Sequence, residues 1–583
     1  MILRRATITA CLLVLALGAG FCDAALMGRY DSQQMGYTEE KLEAPLMLTW
    51  QYTAARFRGN TAAPVIAGNS VYFAAGDCVY CVDLYSGNFL WRYPQEQSLT
   101  STVKATPAIN GDYLYFGTGD GKLYCLDRYE GKFEWFFETR GALRCPPVID
   151  SGTMFLGSND NSIYAIDAET GDMVWPKPFT ARDDFANGIA VGSGMVVGSS
   201  MDGNIYGVNQ SSGKLRWIFR LPSAPVKTSP IIADNVAIIA VGNVVYGLTA
   251  RSGQARWMIQ LPSDASTTPA TDGVDLFVPC RDKKLYCYNI SGRTPALKWT
   301  QPADIGAVCS SSPTVTDEIV FVTAARGIVA GFSTIDGSLK WRYIAAPSGI
   351  NTPGATFTDA LTSPVIANGS LFVLTDDGVL NCFTKTSPDT APPDPFFLTP
   401  ANGVRMSGAP PIKISAALWD AGSGVDFGSA TLTLDGESKD YEIDYSTSTV
   451  SFSTEIGDSK SPVKPLKDGS HVIALTVKDY AGNQLTQEWT FVADSSMPPP
   501  RRVIKEPAKS TKEPERVDRT RTETRDAQGD QGQSGQPPSP PPPPSMGAPG
   551  APGVPGFPSN RSDRWRGRGE RERGFAPQAM PGQ

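Results

Sequence analysis

Between Leu46 and Phe383 short aliphatic and aromatic runs alternate with turns carrying glycine, asparagine or aspartate, and this alternation itself recurs. Asp120 to Trp135, DGKLYCLDRYEGKFEW, shows the skeleton: an apolar pair, a small residue, Leu, Val or Ile, then Asp or Asn, a glycine turn and a tryptophan. Eight of the eleven tryptophans keep this beat, namely Trp50, Trp91, Trp135, Trp175, Trp217, Trp257, Trp299 and Trp341, at intervals of 40 to 44 residues. Such a period with strand-like content defines a propeller or a solenoid. In the unit that opens at Thr106, strands are expected at 106–109, 113–116, 123–126 and 133–135. The turns between them hold Gly111, Gly121 and Gly131, where a positive φ is needed. A lone four-stranded blade cannot bury both faces, but blades stacked radially bury one another, with a tryptophan as the wedge.

The last unit, Ser363 to Phe383, has three strands and no tryptophan, whereas Trp50 lies on a strand with no blade before it. The fold class expected is therefore all-β: an eight-bladed propeller over 46–388, closed by an N-terminal strand at Leu46 to Tyr52 that leaves no open edge. After Pro392-Pro393-Asp394-Pro395 the beat stops, and short alternating runs over 389–494 predict a β-sandwich. Residues 495–583 lose large apolar residues to Pro, Gly and charge and predict a disordered tail. Within it, Pro537 to Pro544 is a polyproline II run and Arg561 to Arg573 an Arg-Gly segment suited to an anionic polymer.

At the other end, Arg4-Arg5, an apolar run from Ala6 to Phe21 and small residues at Ala24-Ala25 read as a signal peptide over 1–24, followed by a leader over 25–45. The expected location is the periplasm, the cell surface or the medium, with no transmembrane segment after cleavage; lipidation at Cys11 or Cys22 is the alternative. The formal charge is −7 overall, yet residues 497–583 carry 15 Lys/Arg against 10 Asp/Glu, leaving −12 on the rest. Such a body argues against nucleic acid as a partner. Cys81, Cys125, Cys287 and Cys382 share one repeat slot with Ala165, Gly207, Gly247 and Gly331, as small packed residues would. Cys280 and Cys309 lie on connections of adjacent blades, and a disulfide between them is the expectation. Cys78-Val79-Tyr80-Cys81 heads a strand and reads as structural.

The only histidine, His471, lies outside the propeller, so no His-based triad or His-rich metal centre can form there. No catalytic or cofactor-binding residue and no metal site is assigned; Asp420, Asp426 and Asp479 have Ca²⁺-ligand chemistry, but turn aspartates serve the backbone. The repeats Leu123-Tyr124-Cys125-Leu126-Asp127 with Trp135, and Ile163-Tyr164-Ala165-Ile166-Asp167 with Gly171 and Trp175, resemble the pyrroloquinoline-quinone (PQQ)-like repeat. This propeller family holds quinoprotein dehydrogenases and non-catalytic proteins such as the BamB subunit of outer-membrane β-barrel assembly. Asp420 to Asp426, Lys467 to His471 and Asp479 to Asn483 resemble bacterial Ig-like domains. The dehydrogenases need an acidic base beside Ca²⁺ and a tryptophan on the quinone, and often carry an adjacent cysteine pair. Here no cysteines are adjacent and the eight repeat tryptophans are committed to the beat.

A monomeric, non-catalytic envelope scaffold with a protein partner is thus expected, without a cofactor. A PQQ-dependent dehydrogenase and a carrier or sensor of a small anion are the alternatives. One feature suggests where binding occurs. Lys104, Arg144 and Lys227 stand three residues before the inner-strand position of blades two, three and five, with Arg140 and Arg182 nearby. They form an arc of cations at one channel mouth that suits an anionic ligand or an acidic segment of a partner, with the connection Ala346 to Thr362 as a flap.

Overall fold

The computed structural model describes residues 25–54, 59, 62–221, 226–309, 311–345, 347–348, 356–357, 359–360, 362–454 and 465–498. Residues 1–24, read above as a signal peptide, residues 499–583 of the expected tail and most of the 346–362 connection lie outside them. The first sheet orders Val65–Ala67, Ser70–Ala75, Cys78–Asp83 and Phe89–Tyr93 from inside to outside, all antiparallel. The same order recurs in sheets spanning 108–138, 148–180, 189–220, 231–260, 270–304 and 314–344. In the eighth, Val365–Ala367, Ser370–Leu374 and Val379–Thr384 take Met47–Thr53 as their outer strand, with Trp50 opposite Cys382. Head and end of the repeat region are thus joined by hydrogen bonds alone. Eight buried clusters, each drawn from two consecutive sheets, show that the sheets form a closed ring. Phe73 and Phe372, for example, share the cluster between the first and the eighth.

The small slot on the third strand has a direct cause. Cys81, Cys125, Gly207, Gly247, Gly331 and Cys382 each lie across the ladder from the tryptophan of their own blade. A Cβ on Gly207 would stand 2.0 Å from the Trp217 ring and one on Gly247 2.2 Å from Trp257. The indole then reaches the next blade. Trp91 Nε1 donates to Arg128 O at 3.1 Å, Trp175 to Gln210 O at 2.9 Å, Trp217 to Ala250 O at 2.8 Å and Trp299 to Thr334 O at 3.2 Å. Each ring covers the positive-φ glycine of that blade's outer turn: Gly131, Gly213, Gly253 and Gly337. The geometry combines aromatic burial with a satisfied indole N–H. Trp175 and Trp299 do this from outside any strand. Pro176 and Pro178, and Pro302, lack the N–H that a ladder needs, so the outer strands there shrink to Phe179–Thr180 and to Ala296–Leu297 with Ala303–Asp304.

The Cys280–Cys309 disulfide is not formed. All eight cysteines from Cys78 onward are buried free thiols. Cys280 belongs to the cluster between the fifth and sixth blades and Cys309 to the next one, its Sγ donating to Thr323 O at 3.0 Å. Connections of adjacent blades are separated by a whole interblade core. Burial pushes the thiols of Cys145, Cys280 and Cys309 up to about 12, so little thiolate exists at neutral pH. A maleimide should label none of the eight in the native protein and all of them after denaturation, as peptide mapping would show.

Residues 394–493 form two further sheets, one holding Asp394–Thr399, Lys413–Trp419, Thr449–Ser453 and Glu442–Asp444. The other holds Val404–Met406, Gln484–Ala493, Gly469–Asp479, Val425–Leu434 and Glu437–Lys439. Both contribute to one core around Leu418, Leu432, Leu475 and Trp489. His471 is used structurally there, between Asp435 Oδ2 at 2.7 Å and Lys467 O at 2.8 Å. This module packs directly on the ring. Trp341 Nε1 donates to Ser423 O at 2.8 Å, Leu48 N to Gly422 O at 3.0 Å and Trp419 Nε1 to Ile344 O at 3.2 Å. The buried Arg342 guanidinium lies 3.7 Å from the centre of the Tyr445 ring. The loop Asp420 to Gly424 thus gives Trp341 the carbonyl that Trp50, Trp91, Trp135, Trp175, Trp217 and Trp299 take from the next blade's turn.

Candidate functional site

The site lies on the axis. One residue from the start of each blade's inner strand lines a cavity of about 370 Å³: Ala63, Thr106, Pro146, Gly188, Ser229, Thr268, Ser312 and Ser363. Convergence of eight strands requires small residues here; a Cβ on Gly188 would meet Ser229 Oγ at 2.5 Å. Hydroxyls also tie neighbouring blades. Ala63 N donates to Thr106 Oγ1 at 3.0 Å, Ser229 N to Thr268 Oγ1 at 2.9 Å and Ser229 Oγ to Asn187 O at 2.8 Å.

The leader closes one side of this cavity, a role its sequence did not announce. An inner strand is a sheet edge, and its inward N–H groups need acceptors. Ile66 N donates to Ala25 O at 2.8 Å, Ile109 N to Leu26 O at 2.6 Å, Val191 N to Ser32 O at 2.7 Å and Ile232 N to Gln33 O at 2.9 Å. Around the rest of the circle Thr271 N meets Met35 O at 3.0 Å, Val315 N meets Gly36 O at 2.8 Å and Ile366 N meets Tyr30 Oη at 2.6 Å. In the third blade Ser32 Oγ donates to Asp150 Oδ1 at 3.1 Å. Residues 25–36 therefore touch every blade from inside. Arg29 pins the turn: its Nε donates to Gln34 O at 2.7 Å and its Nη2 to Met35 O and Pro269 O. Burial lowers the Arg29 guanidinium to about 10, against the pull of Asp31, so it remains charged at neutral pH. Arg29 lies deep in the protein yet keeps accessible surface, because it lines the cavity.

Of the five cations singled out by sequence, Lys227 lines this cavity. Lys104 and Arg144 are exposed two residues outward of the ring members Thr106 and Pro146, the same place that Lys227 holds relative to Ser229. Arg140 and Arg182 are exposed on connections that also carry acids: Arg140 N bonds Asp160 Oδ2 at 3.0 Å. Arg144 acts on the Asp184 carboxyl, which burial together with Asp183 and Asp160 raises. The arc is thus interrupted by carboxylates at blades three and four, whereas no Asp or Glu lines the cavity among the described residues.

A second cluster lies in the C-terminal module. Asp389, Asp420 and Asp479 bring one carboxylate oxygen each within 4.8 Å of one another. Asp426 is not part of it; its Oδ1 accepts from Gly428 N at 3.0 Å. Burial raises the Asp420 carboxyl to about 6; Asp389 and Asp479 add to this, and the Gly424 and Gly422 N–H groups oppose it. An unfolded aspartate titrates near 4, so the fold binds the proton more tightly. The stability this contributes is complete below about pH 4 and is lost as pH climbs through about 6. Asp420→Asn should flatten the melting-temperature profile between those values, with Asp389, Asp479 and the nearby Tyr343 unchanged.

Eight antiparallel sheets in a closed ring, with a tryptophan at each seam, define the PQQ-like class of β-propeller. The chain belongs to the family described as outer membrane protein assembly factor BamB, whose matches at residues 75–184, 180–257 and 203–391 together span more than half of it. Among solved structures, a quinohemoprotein alcohol dehydrogenase from Comamonas testosteroni is similar over 67% of this chain and 84% of its own, with TM-score 0.50 and 15% identity. BamB from Moraxella catarrhalis is similar over 59% of this chain and 100% of its own, with TM-score 0.45 and 17% identity. The likeness to the dehydrogenase speaks to the fold alone. No curated protein matches the chain in sequence.

Proposed function

We propose that the protein is an exported, non-catalytic scaffold of the cell envelope whose propeller presents a surface to a protein partner, with the C-terminal module as an Ig-like extension. The observation that carries this reading is the employment of the tryptophans. All eight repeat tryptophans lie in seams or outer strands, and the described lining of the axial cavity holds neither a tryptophan nor a carboxylate. A quinone needs a tryptophan face and, beside its Ca²⁺, an acid; Tyr30 supplies an aromatic ring here but no acid stands by it in the described lining, so these residues do not fit one. The rim, by contrast, carries apolar surface of the kind that marks association. On blades one and two Tyr85, Phe89, Tyr129, Phe133 and Phe136 are about half exposed or more, and Phe133 and Phe136 lie 6.4 Å apart.

The test is capture of partners from the native envelope by the full chain, by a chain ending at Pro498 and by a Phe133→Glu/Phe136→Glu variant. The scaffold reading expects envelope proteins in the first two captures and their loss in the third. Dye-linked alcohol or sugar oxidation on adding PQQ and Ca²⁺ would overturn it.

A further inference from the structure

Beyond the partner surface, the geometry points to a second binding site: we propose that the axial cavity takes a small hydroxylated carboxylate of sugar-acid size, held between Arg29 and Lys227. The body of the protein is acidic, yet two cations and no acid line this cavity among the described residues. Lys227 has no ion pair or hydrogen bond among the described residues. Arg29 uses Nε and Nη2 on carbonyls, while Nη1 is buried with no acceptor. Nη1 itself has no open surface, so Arg29 acts on a ligand in the cavity through its charge, next to that of Asp31. Attraction to the buried Arg29 is stronger than to a surface charge because water screens it less, whereas the exposed Lys227 is screened more.

The ring between the two cations sets the rest of the ligand. Ser312 and Ser363 donate to no partner among the described residues, and Thr267 and Asn187 add further polar groups to the wall. Lys227 stands two residues outward of the ring, and Arg29 belongs to the leader that closes the inner side. A ligand spanning both levels needs a charged end and hydroxyls along its length. The volume of about 370 Å³ falls at the lower end of the roughly 300–1,000 Å³ of small-molecule pockets and greatly exceeds the needs of a bare inorganic anion.

The experiment uses the full chain with galacturonate, glucose and inorganic phosphate as probes, read by calorimetry and thermal shift. Galacturonate should bind and raise the melting temperature, whereas glucose, which lacks the charge, and phosphate, which lacks the hydroxylated body, should bind at least about tenfold more weakly. Lys227→Ala should weaken galacturonate about tenfold, and Lys227→Arg should restore it. Lys227 is exposed and bears no structural bond, so the variants should fold; a Ser312→Val/Ser363→Val variant reads the hydroxyl contribution independently. Absence of galacturonate binding up to about 10 mM, equal binding of glucose or phosphate, or an affinity indifferent to Lys227→Ala would each overturn the proposal.

Discussion

A chain lacking residues 25–38 should lose a large share of its propeller stability, about 4 kcal/mol. The deletion removes seven hydrogen bonds to inner-strand N–H groups and the Arg29 contacts to Gln34, Met35 and Pro269. At about 0.5–1.5 kcal/mol net per bond, the seven N–H bonds amount to roughly 4–10 kcal/mol, comparable with the whole stability of about 5–15 kcal/mol typical of a domain. Water entering the opened channel would re-solvate some of these groups, so the lower end is the expected loss. Denaturant titration against the full chain measures it. An unfolding free energy lowered by less than about 1 kcal/mol would show that the leader merely rests on the ring.

The second large effect is expected at Gly131. Its φ is +66°, and a Cβ there would stand 2.5 Å from Trp91 Cε3. Gly111 has φ +57° with nothing within 4 Å of a Cβ. Alanine at Gly111 therefore meets only the left-handed backbone penalty of about 1–2 kcal/mol. Alanine at Gly131 meets that penalty and also displaces the indole wedge, adding about 1–3 kcal/mol. The two variants share backbone conformation and differ in what the methyl group touches. Equal melting temperatures would mean that the glycine–tryptophan contact does not hold the blades together.

What the sequence discloses, and what it hides, follows from where each interaction is encoded. The seams were legible because a tryptophan, a small cross-strand residue and a turn glycine repeat with one period, and the tryptophan missing from the last unit pointed to Leu46 to Tyr52 as the closing strand, which the structure places at Met47–Thr53. The leader was not legible: its bonds to the inner strands run mostly from backbone to backbone, which leaves little side-chain signature beyond Arg29, Tyr30, Ser32 and Gly36. Lys227 was found because it precedes an inner strand. The same rule also selected Lys104 and Arg144, which sit at the same height but do not line the cavity. Cys280 and Cys309 misled because closeness along a ring of connections is not closeness through an interblade core. The Ser423 carbonyl was hidden for another reason: the loop that supplies it lies outside the repeat.

That substitution at the Trp341 seam has a consequence for biogenesis. Ribosomes release the strand that completes the circle first and the loop that fastens its final joint more than 350 residues later, with Met47 and Ser423 marking the two. Until Val379–Thr384 is made and pairs with Met47–Thr53 the incomplete ring has exposed strand borders, the condition under which chains aggregate or swap elements, and the Trp341 seam then waits for Ser423. A gene truncated after the last repeat would still close the ring through Met47–Thr53 but would leave the Trp341 indole without the Ser423 carbonyl, so the C-terminal module fastens the seam between the seventh and eighth blades.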